Sequence, residues 1–208
     1  MSYTPRWMRQ AAENMQRPPR PSAPQKMPPP GGALPVLQWN IPSYLKHQKA
    51  WAVWRYEFED GRWSKPPYQP ETDPPMKAEP SEPDTWASFD QAFKRYQDER
   101  GWDGVSFALD RRWGLVGIDL DHADEHRTPA DAIAQALNSY TELSPGRAGL
   151  RIFVRGSLPD GRRRRNWVEM YDQKRFLTVT GQRLEAYPSE IMAAPGLYRV
   201  WWNWLQRG

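Results

Sequence analysis

Two aspartates, Asp119 and Asp121, stand one residue apart in the run G-L-V-G-I-D-L-D at positions 114–121. Read as a β-strand, this run alternates its side chains between two faces. Val116, Ile118 and Leu120 then form an apolar set, and both carboxylates leave the opposite side. At about 3.3 Å of rise per residue, their Cα atoms lie roughly 6.5–7 Å apart. Carboxylates leaving a rigid strand side by side make a seat for a divalent cation, because Mg2+ is held by one or two carboxylates plus substrate phosphates. A solvated edge strand with two acids is the plain alternative. The choice depends on what the rest of the chain brings to the same face.

Alternation predicts three more strands, over residues 150–155, 167–172 and 176–180. Leu150, Ile152 and Val154 are apolar, with Arg151 and Arg155 opposite. Val168 and Met170 oppose Glu169 and Tyr171, and Leu177 and Val179 oppose Thr178 and Thr180. If the strands share a sheet, the greasy faces meet helices and the polar faces line up. That polar face gathers Asp119, Asp121, Glu169, Arg151, Thr178 and Thr180. Three carboxylates with an arginine point to metal-assisted phosphoryl transfer, in which cations about 3.5–4 Å apart clamp the attacking and leaving oxygens. A water-facing sheet of mixed charge is the rival reading. Just before the Arg151 strand comes Ser144-Pro145-Gly146-Arg147-Ala148-Gly149. Its glycines let the backbone approach a phosphate, with amides and Ser144 as donors, though an ordinary connector reads the same way.

The elements that position these residues follow from the rest of the chain. Its 208 residues fit one domain, or one with a small subdomain. The absence of cysteine excludes disulfides and thiolate metal sites. No apolar run reaches the roughly eighteen residues of a membrane span, and the N-terminus lacks the apolar core of a signal peptide. The expectation is a soluble cytoplasmic protein. A net charge of +4 suits a polyanionic partner.

Residues 1–35 form a basic, Pro-rich tail, expected to be disordered or extended, and residues 36–208 carry the folded domain. An aromatic strand is predicted over 50–58, a turn at Asp60-Gly61, and a return strand over 62–65 that Pro66-Pro67 breaks. Residues 69–84 read as loop. Ser88 and Gln91 fit a capping box for a helix to about residue 100, with Phe89, Ala92, Phe93 and Tyr96 on its inner face. Strands are predicted over 104–109 and 113–121, and Thr128-Pro129 opens a helix lined by Ile133, Leu137 and Tyr140. A last helix over about 189–207 carries Leu197, Val200, Trp201, Trp204 and Leu205 at helical spacing. Strands and helices do not alternate regularly, so the fold class is α+β rather than doubly wound.

Three motifs, V-G-I-D-L-D-H, S-P-G-R-A-G-L-R-I-F-V-R-G and V-E-M-Y-D-Q-K-R-F-L-T-V-T-G, resemble in order those of the phage- and plasmid-type primase-polymerases of the archaeo-eukaryotic primase superfamily. W-A-V-W-R-Y-E, K-P-P-Y and T-W-A-S-F-D also look like the N-terminal part of that family, so the likeness spans residues 50–184. It implies an RRM-like catalytic sheet over about 101–185 after an N-terminal α/β module over about 36–100. By this likeness Asp119, Asp121 and Glu169 hold two Mg2+ or Mn2+ ions. Ser144, Gly146 and Gly149 bind phosphate. Where much of the superfamily has histidine this chain has Arg151, which supplies a charged donor fork but does not deprotonate near neutrality. Implied partners are a single-stranded DNA template and primer, nucleoside triphosphates, and a replicative helicase in trans, since the 208 residues contain no Walker A motif.

Arg162, Arg163, Arg164 and Arg165, in a hairpin beside the Glu169 strand, are candidates for template phosphates. Lys65 and Arg175 are candidates for triphosphate or template. His122 and His126 lie four apart near the aspartates, but Glu125 and Arg127 between and beside them mark an exposed loop rather than a metal site. The expected activity is template-directed nucleotidyl transfer, as a DNA primase, a DNA polymerase or both. A metal-dependent nuclease using the same acids is one alternative. A non-catalytic RRM-like nucleic-acid-binding module is another, disfavoured because it calls for aromatics rather than acids on the open face.

Overall fold

The computed structural model describes residues 32–98 and 101–207, so all but the last four residues of the N-terminal tail lie outside the described residues. The fold is α+β. Its strands are β1 (Trp51–Trp54), β2 (Glu57–Glu59), β3 (Arg62–Ser64), β4 (Pro67–Tyr68), β5 (Gly104–Leu109), β6 (Leu115–Leu120), β7 (Thr141–Leu143), β8 (Leu150–Arg155), β9 (Arg164–Arg165), β10 (Val168–Tyr171) and β11 (Arg175–Val179). One sheet has the order β11-β5-β1-β4, a second β7-β8-β6-β10-β9, and β2 and β3 form a separate hairpin. Every paired strand is antiparallel to its neighbour.

The first sheet grows from aromatic packing. Trp51 lies edge-on to Phe89 of the Phe89–Asp98 helix and to Phe107 of β5, at ring distances of 4.9 and 5.3 Å. That helix starts where expected: the Ser88 amide donates to Gln91 Oε1 (2.9 Å) and the Gln91 amide to Ser88 Oγ (3.3 Å), a reciprocal capping box. The aromatic strand expected over 50–58 divides in two. The Tyr56 amide donates to the Asp103 carboxylate at 2.7 Å, which takes it out of the ladder and lets β2 turn away into the hairpin. Pro67 stands on the edge strand β4 opposite Trp54, a place where a missing amide leaves no inner ladder bond unmade.

The second sheet obeys the alternation read from sequence. Val116, Ile118 and Leu120, with Ile152, Val154, Val168 and Met170, pack against the Arg127–Leu137 and Leu197–Trp201 helices in one buried cluster. On the other face, Leu115 and Phe153 join the cluster of the first sheet, and Tyr171 packs against it. Gly117 sits between these zones. A Cβ there would fall 2.3 Å from Leu177 Cδ1 and 2.8 Å from Leu109 Cδ1, so any larger residue would have to displace these leucines where the two sheets meet. Beyond Gly117 the same face opens into a cavity lined by both sheets.

Three expectations need correction. The strand over 176–180 does not share the sheet of the carboxylates, because β11 pairs with β5. Its alternation placed its apolar face correctly but carried no information about its neighbour. The strand expected from Trp113 begins at Leu115. Arg111–Trp113 form a tight turn capped by Asp110, which accepts from the Arg112 amide (2.9 Å), and Gly114 follows with φ of 57°. The last helix begins at Leu197 rather than near 189, since Pro195 bars the helical conformation to its predecessor, and it widens into a π-helical turn over Trp202–Gln206.

Candidate active site

The register of the second sheet aligns five charged residues. Glu142 lies opposite Arg151, Arg151 opposite Asp119, Asp119 opposite Glu169, and Glu169 opposite Arg164. Directly opposed residues share a face with Cβ atoms about 4.5–5.5 Å apart. One row therefore crosses all five strands. Asp121 lies just past the end of β6 on the same face, its amide still bonded across to the Trp167 carbonyl at 2.8 Å.

The centre of the row is buried and its charges are paired. Asp119, Glu169 and Arg151 are only 5%, 2% and 3% exposed. Arg151 Nη1 donates to Asp119 Oδ1 and to the Leu150 carbonyl. Glu169 takes Arg175 Nη2 on one oxygen (2.9 Å) and Arg164 Nε near the other (3.1 Å). Burial pushes the Asp119 carboxyl up to about 6; Arg151 opposes that rise, while Asp121 and Glu169 add to it. Burial lowers the Lys65 ammonium, helped by Arg151 and resisted by Asp119 and Asp121. Lys65 lines the same cavity as the two aspartates.

That wall comes from the first half of the chain. The cavity, about 650 Å3, is bounded by residues 62–67, residues 77–80, the acids with Arg151 and Arg164, and residues 174–178. Trp63 Nε1, Arg151 Nε, Arg175 Nε and Thr178 Oγ1 are buried without a hydrogen-bond partner, and all four residues line this cavity. Each of these atoms donates a proton. A buried donor with no acceptor costs free energy, so the residues around this cavity carry unmet hydrogen-bonding capacity. The three acids open onto the same space, and their all-oxygen donor set fits a hard divalent cation such as Mg2+ or Mn2+.

Asp119, Asp121, Glu169, Arg151, Arg175, Lys65 and Arg164 are thus brought together, with Thr178 added from the other sheet. Ser144, Gly146 and Gly149 are not among the residues lining the cavity. Ser144 Oγ accepts from the Gly149 amide (3.0 Å) and the Ser144 amide donates to the Gly149 carbonyl (2.8 Å), closing the loop on itself. A Cβ on Gly149 would lie 2.7 Å from the Leu120 carbonyl oxygen, so this glycine serves the close approach of loop and strand. Thr180 is also turned away: its hydroxyl donates to the Leu143 carbonyl at 2.8 Å. Of the four consecutive arginines only Arg164 faces the cavity. Arg163 is held by the Pro159 carbonyl (2.7 Å) and near Asp172 (3.8 Å), Arg165 bonds to the Arg207 carbonyl, and Arg162 is exposed.

Glu142 was missed from sequence. It is fully buried, accepts from Tyr140 Oη (2.7 Å) and from the Thr180 and Gly181 amides (2.9 and 2.7 Å), and burial pushes its carboxyl up to about 7 against those donors and Arg151. Only the apolar residue after it in T-E-L signalled a strand. Trp63 was read as strand, not site. Just past β6, His122, Asp124 and Glu125 are exposed and hold ligand atoms within 4.8 Å of one another. His126 instead stacks on Trp167 at 4.6 Å.

No protein-family model matches the chain. A sequence comparison is informative: over an alignment of 152 residues that covers 66% of the chain, the chain is 32% identical to a protein named DNA primase-polymerase from Nitratiruptor phage NrS-1. This chain is similar to a primase-polymerase. The matched part is 20% of the phage protein, so the chain spans about a fifth of the relative it matches. Among the described residues no helix is long and apolar enough to cross a membrane.

Proposed function

We propose that the chain is a template-directed nucleotidyltransferase that makes DNA primers, extends DNA strands, or both. One observation carries this reading: Lys65, Arg151, Arg164 and Arg175 line one cavity together with Asp119, Asp121 and Glu169. A nucleoside triphosphate brings the anionic oxygens that such cations suit, and the metal ions that such acids suit.

Asp119, Asp121 and Glu169 would hold two divalent cations, Mg2+ or Mn2+. Such ions supply Lewis acidity, a lower hydroxyl pKa and charge neutralisation of the leaving group. Arg151, Arg175 and Lys65 hold the triphosphate, with Arg151 keeping the α-phosphate in line with the attacking group. Trp63 and Thr178 donate to the nucleotide from the opposite wall. The primer 3′-hydroxyl, or that of a first nucleotide, attacks the α-phosphate. A new P–O bond forms as the bond to pyrophosphate breaks, and the hydroxyl proton is lost from the attacking oxygen. The Ser144–Gly149 turn supports the β6 end that carries the aspartates. Arg162, Arg163 and Arg165 lie outside the cavity, where a template strand would pass. We read the five-stranded sheet, with helices on one face and charge on the other, as an RRM-like catalytic sheet.

The test is incubation with a single-stranded template, nucleotides and Mg2+ or Mn2+, with and without primer. New or lengthened strands are expected. Shortened strands with no synthesis would instead make the protein a nuclease.

A further inference from the structure

The row of charges is occupied by its own members. Arg151 holds Asp119, while Arg164 and Arg175 hold Glu169. Yet the proposed chemistry asks the acids to give their oxygens to cations and the arginines to give their N–H groups to phosphate. Neither is available while each neutralises the other.

We propose that these ion pairs form an exchange device: Arg151 serves as counter-ion to Asp119 until a cation takes that carboxylate, and is then released to the triphosphate. This rests on the functional reading above and specifies how its site loads. Burial makes the exchange obligatory. Asp119 and Arg151 are 5% and 3% exposed, and a buried charge stripped of its partner is strongly destabilising. Neither can therefore wait unpaired. Cation and polyphosphate arrive as complementary charges and take over both partners. Arg151 also keeps a fixed neighbour, because Glu142 lies across from it on β7, anchored by Tyr140 and the backbone amides of Thr180 and Gly181. The Nε atoms of Arg151 and Arg175 make no hydrogen bond, so neither guanidinium is fully satisfied by its carboxylate. Asp121 differs, since among the described residues no arginine or lysine forms an ion pair with it. Cation entry at Asp121 needs no arginine to leave.

The exchange predicts that removing the acid paired to Arg151 improves phosphate binding when no metal is present. Inorganic tripolyphosphate is titrated calorimetrically into the full chain in buffer stripped of divalent ions. Asp119→Asn should tighten binding by about tenfold to a hundredfold, the range of a charge-assisted hydrogen bond set free. Asp121→Asn removes the same formal charge without freeing an arginine, and should tighten binding no more than about threefold, as expected for partly screened charge alone. In an Arg151→Ala background the extra gain from Asp119→Asn should vanish. Equal gains for Asp119→Asn and Asp121→Asn, or a gain that persists without Arg151, would overturn the exchange. If Asp119→Asn does not fold, Glu169→Gln poses the same question through Arg164 and Arg175, with Asp121→Asn again as the charge control and an Arg164→Ala, Arg175→Ala background in place of Arg151→Ala. Strand synthesis by the wild type alongside equal gains would remove the exchange and leave the polymerase reading. An Arg151-dependent gain in a protein that makes no strands would do the reverse.

Discussion

The two sheets are built from similar strands and put to different uses. In the first, β1 and β5 are buried throughout and carry no charged residue. In the second, β6 and β8 are nearly as buried, yet a row of charged residues crosses them. What separates them is the far side of each charged position. Leu115, Gly117 and Phe153 are covered by the first sheet, whereas Asp119, Arg151 and Glu169 look into the cavity. A scaffold and a site can thus share one strand, divided at a single glycine. In the proposed function the first sheet fixes the spacing, and the second carries the acids.

Deleting the aromatic anchor should break that division most severely. Trp51 is fully buried between two rings, so Trp51→Ala is expected to cost about 3–5 kcal/mol, read as a lower urea midpoint. A loss below about 1 kcal/mol would mean the first sheet is not the scaffold.

The charged row offers the contrary case, in which charge itself burdens the fold. Glu142 has its carboxyl raised from 4.5 to about 7, so its contribution to stability is present at low pH and lost as pH rises through about 7. Glu142→Gln mimics the protonated acid. In metal-free buffer its stability relative to wild type should improve between pH 5 and pH 9, by up to about 3 kcal/mol. A relative loss with rising pH would show that Glu142 is stabilised as an anion.

At the dividing glycine, Gly117→Ala should cost about 1–3 kcal/mol, because the added methyl overlaps Leu177 and Leu109. If thermal unfolding of that variant matches wild type, the sheets are looser than their close approach implies. The smallest effect belongs to the outer arginines. Replacing Arg162, Arg163 and Arg165 with Ser should leave the melting temperature nearly unchanged and flatten the salt dependence of single-strand binding, by a log–log slope of roughly 0.7 for each phosphate the protein no longer neutralises. An unchanged slope would assign the template path elsewhere.

The comparison also separates what sequence could tell from what it could not. Two-residue alternation sufficed to put Asp119, Arg151 and Glu169 on one face opposite Ile118, Ile152 and Met170, since burial of one face leaves a strand no other choice. It could not say which strands are neighbours. The pairing of β11 with β5 joins residues far apart in sequence, and it sent Thr178 into the cavity from the opposite sheet while Thr180 bonds to β7. Glu142 escaped notice because a three-residue strand is too short to show a period. The Ser144–Gly149 turn looked like a phosphate cradle because glycines that permit a close backbone approach look the same whether the neighbour is a ligand or, as here, the Leu120 carbonyl. Among consecutive arginines, only their strand register singled out Arg164.

The central claim is that Asp119, Asp121 and Glu169 serve synthesis rather than folding, and Asp121 tests it most directly because no ion pair of the described residues depends on it. Primer extension on a single-stranded template with Mg2+ or Mn2+ should be followed for wild type and Asp121→Asn, each with its melting temperature. Extension by wild type and loss of at least about a hundredfold in rate for Asp121→Asn, with melting temperatures matching within a few degrees, is the predicted result. Near-wild-type extension by Asp121→Asn would remove it from the site and contradict the account.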